Sequence, residues 1–207
     1  MKNIIIVSAG SYAREVLLCI KWINKRKPTW NILGFIDDNP DALAGIKCDY
    51  KIIGTIQDYI PKEDEYFALG IADPHLKDKI VTLLKSKGAK FATIINPNVS
   101  IGDYVEIGEG VVILGSNVGS NAILGNFTSI MGSMIGQDSI IGDFSTTTGY
   151  VNIASATLGE KVFVGSHAVV LNHLSVGDDA VVGAGSIVIR NVKAGTTVFG
   201  NPAKRIY

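Results

Sequence analysis

The chain has 207 residues, and its 19 basic and 19 acidic side chains give a formal net charge of zero. This length allows one or two domains with a sizeable hydrophobic core. Because only 18% of the residues are charged, we expect no surface for nucleic acid or for an anionic membrane. No apolar run approaches the roughly 20 residues that span a bilayer. Cys19 and Cys48 lack metal-ligand spacing, so we interpret them as free thiols and predict a cytoplasmic location.

Residues 1–92 alternate strand-like and helix-like segments, identified by β-branched runs and by apolar stripes of helical period. This order predicts a small Rossmann-like parallel sheet, with ligand groups at the carboxyl ends of its strands. The predicted strands are Ile4–Val7, Asn31–Asp37, Ile52–Gly54 and Tyr66–Ile71, and the predicted helices are Tyr12 to about Lys25 and Pro74 to Lys87.

From Thr93 onward, aliphatic side chains recur every six residues, and a glycine often follows the aliphatic residue. The step shortens to five residues at three points, and Thr147 is the polar exception in the series. A period of six fits neither an α-helix nor a simple hairpin. The series is Ile101, Ile107, Ile113, Val118, Leu124, Ile130, Ile135, Ile141, Thr147, Ile153, Leu158, Val164, Val170, Val176, Val182 and Val188.

Six residues make one short strand and one corner, and three such units make a triangular coil. We expect the aliphatic side chain to point into the prism and the following glycine to supply the unusual backbone angles of the corner. Coils then stack at the ~4.8 Å spacing of neighbouring strands. The period therefore predicts a parallel β-helix over residues 101–190, within a second domain of residues 93–207.

Several stretches resemble known sequences more specifically. The repeat resembles the left-handed β-helix of the hexapeptide acyltransferases. The entire chain resembles the two-domain sugar acetyltransferases, namely those of the bacillosamine pathway and the sialic-acid O-acetyltransferase family. The stretches that carry the resemblance are Ser8–Val16 (SAGSYAREV), Gly34–Asn39 (GFIDDN), Ile141–Phe144 (IGDF), Val182–Ser186 (VGAGS) and Gly200–Lys204 (GNPAK).

The resemblance implies an α/β domain joined to a left-handed parallel β-helix. It also implies transfer of acetyl from acetyl-CoA to an amino or hydroxyl group of a sugar, nucleotide-linked, for a surface glycan. The implied assembly is a homotrimer with the CoA cleft between adjacent prisms, and the implied chemistry uses no metal. The nucleotide, the sugar, and the choice between N- and O-acetylation stay open.

In the resembling enzymes the catalytic base is a histidine followed by an acid, just before the Ile141–Phe144 motif. Gln137 and Asp138 hold these positions here. An amide can hydrogen-bond an acceptor but has no useful basicity, so Gln137 cannot remove a proton. Four readings stay open: an acceptor amine that needs little help, Asp138 acting through water, an inactive binding homologue, or an enzyme altered at Gln137 to trap a complex.

The resemblance also implies binding residues. The nucleotide-sugar contacts would be Gly10, Ser11, Tyr12, Asp37 and Asp38, although Ser8, Ser11 and Ala13 replace glycines of the family's phosphate loop. His173 is expected near the corner of Gln137 but two coils on, about 10 Å away at ~4.8 Å per coil. The implied CoA contacts are Thr146, Ser155, Gly165, His173, Gly183, Lys204 and Arg205.

Two other classes of protein compete with the enzyme. A non-catalytic binder of CoA or a nucleotide sugar is favoured by Gln137, by Thr146 in place of a second family histidine, and by the altered glycine loop. A structural or ice-binding β-helix would need regular threonine ladders, and the sequence clusters threonine only at 146–148. We therefore discount the structural class.

Overall fold

A computed structural model describes residues 1–115 and 117–207. Its first part is a parallel sheet with one helix on each side. The first helix begins one residue earlier than predicted and ends one residue later. The elements are β1 (Lys2–Val7), α1 (Ser11–Arg26), β2 (Trp30–Ile36), β3 (Ile52–Gly54), β4 (Glu65–Leu69), α2 (Pro74–Ser86) and β5 (Lys90–Phe91).

The strands of this sheet lie in the order β3-β2-β1-β4-β5, and all are parallel. Successive side chains of β1 point to opposite faces, so Ile4 and Ile6 pack with α1 while Ile5 and Val7 pack with α2. The strand is buried on both faces, which explains its uninterrupted apolar run. Gly70 lets β4 approach α1 closely, because a Cβ there would lie 2.6 Å from the Cα of Ala13.

The second part is a parallel β-helix with three faces, numbered in the order in which the chain visits them after residue 99. The first face contains β7 (Ser100–Ile101), β10 (Asn117–Val118), β13 (Met134–Ile135), β16 (Asn152–Ile153), β19 (Val169–Val170) and β22 (Ile187–Val188). The second face contains β8 (Glu106–Ile107), β11 (Ile123–Leu124), β14 (Ile140–Ile141), β17 (Thr157–Leu158) and β20 (Ser175–Val176). The third face contains β6 (Ile94–Ile95), β9 (Val112–Ile113), β12 (Ser129–Ile130), β15 (Thr146–Thr147), β18 (Phe163–Val164), β21 (Val181–Val182) and β23 (Thr197–Phe199), with β24 (Lys204–Arg205) antiparallel at its end.

The predicted architecture is confirmed, since the aliphatic members of the six-residue series from Ile113 to Val188 are buried inside the prism. Thr147 is also buried, and its hydroxyl accepts a hydrogen bond from Ser133 Oγ at 2.8 Å. Its polar group is therefore satisfied inside an apolar prism. The predicted division between residues 92 and 93 falls between β5 of the sheet and β6 of the β-helix.

The predicted role of the repeat glycines was wrong. The glycines that directly follow an inward aliphatic residue, such as Gly136 and Gly177, do not have a positive φ. The left-handed backbone conformation occurs later in the corner, for example at Asp138 (φ 57°) and Asp179 (φ 58°). The glycines are instead required by close stacking of coils, because a Cβ at Gly177 would lie 2.5 Å from the backbone nitrogen of Ala194.

The sheet domain covers part of the third face of the β-helix. Lys77 of α2 is fully buried there. Its ammonium Nζ donates to the carbonyl oxygens of Phe127 at 2.9 Å and Ser145 at 3.2 Å, and to the hydroxyls of Ser129 at 3.1 Å and Thr146 at 3.0 Å. This covering explains why polar side chains that point outward from the third face are buried.

Neither helix in the described part of the chain is long and apolar enough to cross a membrane. Both cysteines are free, and Cys19 is buried. Burial raises the pKa of the Cys19 thiol to about 12, so it is protonated at neutral pH and is a weak nucleophile.

Candidate active site

The turns between the first and second faces form one edge of the prism, here named corner A. Gln137 and Asp138 lie on this edge, Ser155 lies one coil later, and His173 lies two coils later. A pocket of about 390 Å³ opens along the edge. It is lined by Gln137, Asp138, Ser155, Thr157, Asn172, His173, Leu174 and Ser175. The structure thus brings together four of the residues that the sequence singled out.

This pocket is polar, and an amide, Gln137, holds the position at which the resemblance leads one to expect a histidine base. Gln137 and Asp138 are both exposed. Asp138 Oδ1 accepts a hydrogen bond from Asn121 Nδ2 at 3.0 Å, which orients the carboxylate on the turn. The amide of Gln137 can hold an acceptor group by donating or accepting a hydrogen bond, but it cannot take up its proton.

A basic pocket of about 280 Å³ lies beyond the corner A pocket, near the end of the β-helix. Arg190, Lys193 and Arg205 contribute its cationic side chains. Arg190 follows Val188 by two residues, so it lies on corner A one coil after His173. Arg205 was expected from the resemblance, whereas Arg190 and Lys193 were not. These two cations are brought beside Arg205 only by the fold.

A third pocket, of about 540 Å³, opens between the two domains. The first turn of α1 forms one wall, and corner C, the edge between the third and first faces, forms the other. Gly10, the N-cap of α1, provides no side-chain hydrogen bond to the helix, so the amides of the first turn remain suited to an anion. The pocket is lined by Ser11, Tyr12, Glu15, Ala72, Leu114, Gly115, Met131 and Gly132.

Tyr12 lines one wall of this interdomain cleft. Its hydroxyl is buried and has no hydrogen-bond partner within 3.5 Å. Burial raises the pKa of the phenol well above its usual value, and the nearby Ser129 hydroxyl opposes the rise. The hydroxyl lies inside the protein near Ser129, so the part of Tyr12 that a ligand in the cleft could contact is its backbone and the outer side of its ring.

The loop between β1 and α1 is held by Asp37. Asp37 Oδ2 accepts hydrogen bonds from the backbone nitrogen of Ala9 at 2.7 Å and from Ser8 Oγ at 3.2 Å. Gly10 N donates to Ser8 Oγ at 3.3 Å. The loop amides are therefore occupied within the protein, and the free donors begin at the first turn of α1. Asp38 is exposed at the carboxyl end of β2, where Oδ1 accepts from Gln57 N at 3.0 Å.

Several of the residues assigned to CoA from the resemblance lie away from corner A. Thr146 is fully buried on the third face, where its hydroxyl donates to Ala72 O at 2.7 Å, so its side chain offers CoA no surface. Gly165 and Gly183 follow strands of the third face and are tightly covered, since a Cβ at Gly165 would lie 2.6 Å from Ala184 N. Lys204 is exposed on β24 and is not among the residues that line the basic pocket.

Comparison with family models identifies both parts of the chain. Residues 3–84 match the PglD N-terminal domain, and residues 84–174 match the GMPPB C-terminal domain. WeeI from Acinetobacter baumannii AYE is 26% identical over the full length of both chains, with a TM-score of 0.74. The chain is thus similar to the PglD-like sugar N-acetyltransferases over its full length. The family resemblance predicted from the sequence is confirmed.

Other members of the fold have been solved with ligands. PerB from Caulobacter crescentus, in complex with CoA and GDP-perosamine, is 21% identical with a TM-score of 0.89, covering 100% of this chain and 98% of that one. The acetyltransferase domain of PglB from Neisseria gonorrhoeae FA1090, in complex with acetyl coenzyme A, is 20% identical with a TM-score of 0.89, covering 99% of each chain. These likenesses establish a shared fold.

Curated relatives match shorter stretches. The bifunctional protein GlmU of Acinetobacter baylyi is 32% identical over 115 residues, which are 53% of this chain and 20% of that protein. The chain spans less than a third of the length of the curated relatives it matches.

Proposed function

We propose that this PglD-like protein transfers acetyl from acetyl-CoA to the amino group of a nucleotide-linked sugar. The observation that carries the proposal is the arrangement of corner A, which joins a polar pocket at Gln137 to a basic pocket at Arg190. Both ligand classes are named for relatives: acetyl coenzyme A for the PglB domain, and CoA with GDP-perosamine for PerB.

The spacing of the two pockets fits an extended CoA molecule. Arg190 lies three coils after Gln137, which is about 15 Å at ~4.8 Å per coil. Arg190, Lys193 and Arg205 would bind the CoA phosphates through charge-assisted hydrogen bonds. The pantetheine arm would follow Ser155 and His173 along the corner, and the thioester would lie near Gln137.

The acceptor would occupy the interdomain cleft. The first turn of α1, at Ser11 and Tyr12, would bind the diphosphate through backbone amides and the helix dipole. Asp37 and Asp38, at the carboxyl end of β2, would lie beside the nucleoside, as parallel α/β sheets place their ligands.

The reaction would be direct attack on the thioester. The amine nitrogen forms a bond to the carbonyl carbon, the carbon–sulfur bond breaks, and CoA leaves as the thiolate. The amine must lose a proton, which in this chain passes to water or to Asp138 through water, since Gln137 does not accept it. Corner A and corner C lie on opposite edges of the first face of one prism, so Gln137 of a neighbouring chain in the proposed trimer would position the amine by a hydrogen bond.

We also propose a trimer, as the resemblance implies. The flat outer faces carry exposed apolar side chains that a neighbouring prism would cover. Among them, Met134 of the first face is 57% exposed and Ile140 of the second face is 40% exposed. Phe163, partly exposed, and Phe199, 53% exposed, also point outward.

A second candidate is a binding protein without catalysis, which the missing base at Gln137 favours. One experiment separates the two. The purified chain is mixed with acetyl-CoA and 4-amino nucleotide sugars carrying UDP, GDP, dTDP or CMP, and free CoA thiol is measured. Acceptor-dependent thiol release supports the enzyme. Calorimetric binding of both ligands without thiol release supports the binder, and no association with acetyl-CoA contradicts both.

A further inference from the structure

Two stacks of aromatic rings lie on edges of the prism, and only one of them is covered in the described chain. Corner B, the edge between the second and third faces, carries Phe127 and Phe144, whose rings stack with centroids 5.2 Å apart and an angle of 19°. Phe91 of the sheet domain packs edge-on against Phe127 at 5.3 Å. That stack is therefore sealed by the protein itself.

The second stack lies on corner C. The rings of Tyr150 and His167 have centroids 5.0 Å apart and lie 14° from parallel. Tyr150 is 77% exposed, and both residues hold left-handed backbone angles, with φ of 60° and 61°. A large aromatic side chain at a position that favours glycine or asparagine costs conformational free energy, and a functional contact of the ring would offset that cost.

The free face of Tyr150 is turned away from His167, toward the preceding coil. Gly132 occupies the corner there, and Tyr150 N donates to Gly132 O at 2.9 Å. Among the described residues, a Cβ at Gly132 would have Gly115 O at 3.4 Å and Gly149 Cα at 4.0 Å as its contacts within 4 Å. Gly132 therefore brings no side chain to the corner that precedes Tyr150. Gly132 also lines the interdomain cleft, so the backbone of Tyr150 is hydrogen-bonded to a residue of that cleft.

The two walls of the cleft differ in chemistry. The wall formed by α1 offers the amides of the first helical turn, which suit phosphate oxygens. The corner C wall offers Leu114, Met131 and glycines, and one of these glycines, Gly132, is hydrogen-bonded to the backbone of Tyr150. A group bound at the corner C wall would therefore contact apolar side chains and glycine backbone.

We propose that Tyr150 is the platform on which the sugar ring of the nucleotide-sugar acceptor packs, with His167 holding the aromatic ring from behind. The inference rests on the proposed acceptor class. A hexose presents C–H groups on a face, which pack on an aromatic ring, while its hydroxyl and amino groups stay free at the edge. Tyr150 then determines which sugars fit, and His167 is a positioning residue.

The test compares a nucleoside diphosphate with its 4-amino-sugar conjugate by calorimetry, without acetyl-CoA. GDP with GDP-perosamine is the first pair, and the UDP and dTDP pairs are measured alongside it. The pair that the wild-type chain binds most tightly is used for the variants Tyr150→Asn, Tyr150→Phe and His167→Asn. Asparagine tolerates a positive φ, so Tyr150→Asn removes the ring without straining the turn.

We expect Tyr150→Asn to weaken binding of the sugar conjugate by about tenfold, a factor that corresponds to ~1.4 kcal/mol. The affinity for the nucleoside diphosphate should stay unchanged. Tyr150→Phe keeps the ring and should bind the conjugate with wild-type affinity. His167→Asn should lose less affinity for the conjugate than Tyr150→Asn does. Tyr104→Asn is the matched control, because Tyr104 is 87% exposed with φ of 59° but lies on corner A.

An equal loss for both ligands would mean that the nucleobase lies on Tyr150 and would overturn the proposal. So would an unchanged affinity for the conjugate, or the same loss in Tyr104→Asn. These outcomes leave the proposed function standing. If the wild-type chain binds no nucleotide sugar at all, the proposed function itself fails.

Discussion

Gln137 occupies the corner position where the resemblance leads one to expect a histidine. It is exposed in a pocket that also holds Asp138 and His173, so the surroundings of a base are present while the base is absent. A positioned general base contributes about 10²–10⁴-fold to a proton-transfer step.

We therefore predict that Gln137→His raises kcat for acceptor-dependent thiol release by about 10²-fold or more. The calorimetric Kd for acetyl-CoA should stay unchanged, because the phosphate contacts lie three coils away. Gln137→Ala is the control, since it removes the amide without supplying a base. A rate for Gln137→His equal to that of the wild type would count against a base role for this position.

The repeat glycines make a second prediction at the scale of single residues. Gly177→Ala should destabilise the β-helix by about 1–3 kcal/mol, because its Cβ would overlap the backbone of the next coil. Gly149→Ala is the matched control, since its Cβ would meet only Met131 O, at 3.9 Å. Denaturant midpoints of the two variants test the difference, and equal midpoints would refute the close-stacking explanation.

At the scale of elements, Lys77 joins α2 to the third face of the β-helix. We predict that Lys77→Ala lowers the free energy of unfolding by about 2–5 kcal/mol, because it leaves a cavity and removes the donor for buried oxygens. Lys79→Ala, an exposed lysine on the same helix, should change stability little. Urea unfolding of both variants is the measurement, and similar midpoints would contradict the role assigned to Lys77.

The burial of Lys77 also makes the stability of the protein depend on pH. Burial lowers the pKa of Lys77 well below its usual value, and Asp73 opposes the shift. Between the folded pKa and the unfolded value near 10.5, the unfolded chain binds more protons, so stability rises with pH. We expect the stability of wild type relative to Lys77→Met to increase with pH in that window. A difference that stays constant or falls with pH would contradict the lowered pKa.

At the scale of the whole molecule, the proposed trimer has a direct test. Sedimentation velocity at micromolar concentration should give three chains per particle. Met134→Glu places a charge on an exposed apolar face and should shift the particle toward monomer. Ile60→Glu is the control, because Ile60 is 77% exposed but lies in the sheet domain. A wild-type chain that sediments as a monomer would contradict the proposed trimer.

Much of the architecture followed from local pattern. Side chains that face a core recur with the period of their element, and this period can be recognised in the sequence. It is seen in the β-branched run of β1, the apolar stripe of α1 and the six-residue series. The roles of the glycines did not follow in the same way. Gly177 is required by the backbone of a coil 17 positions later, a contact that no local propensity encodes.

The residues of the candidate site were likewise predictable only where they belong to the repeat. Gln137, Ser155 and His173 could be placed on one edge by counting repeats. Arg190 and Lys193 were missed, because two cations near a terminus carry no signal until Arg205 folds back beside them.

The sequence by itself determined the two folds, since each depends on a short-range period of burial. Only the tertiary structure decided how the two domains meet. It buried Lys77 and Thr146 at the junction, opened the cleft beside Tyr12, and left Tyr150 uncovered on corner C. These features depend on contacts between residues far apart in the chain, where the free energy comes from packing and desolvation and leaves no local pattern to read.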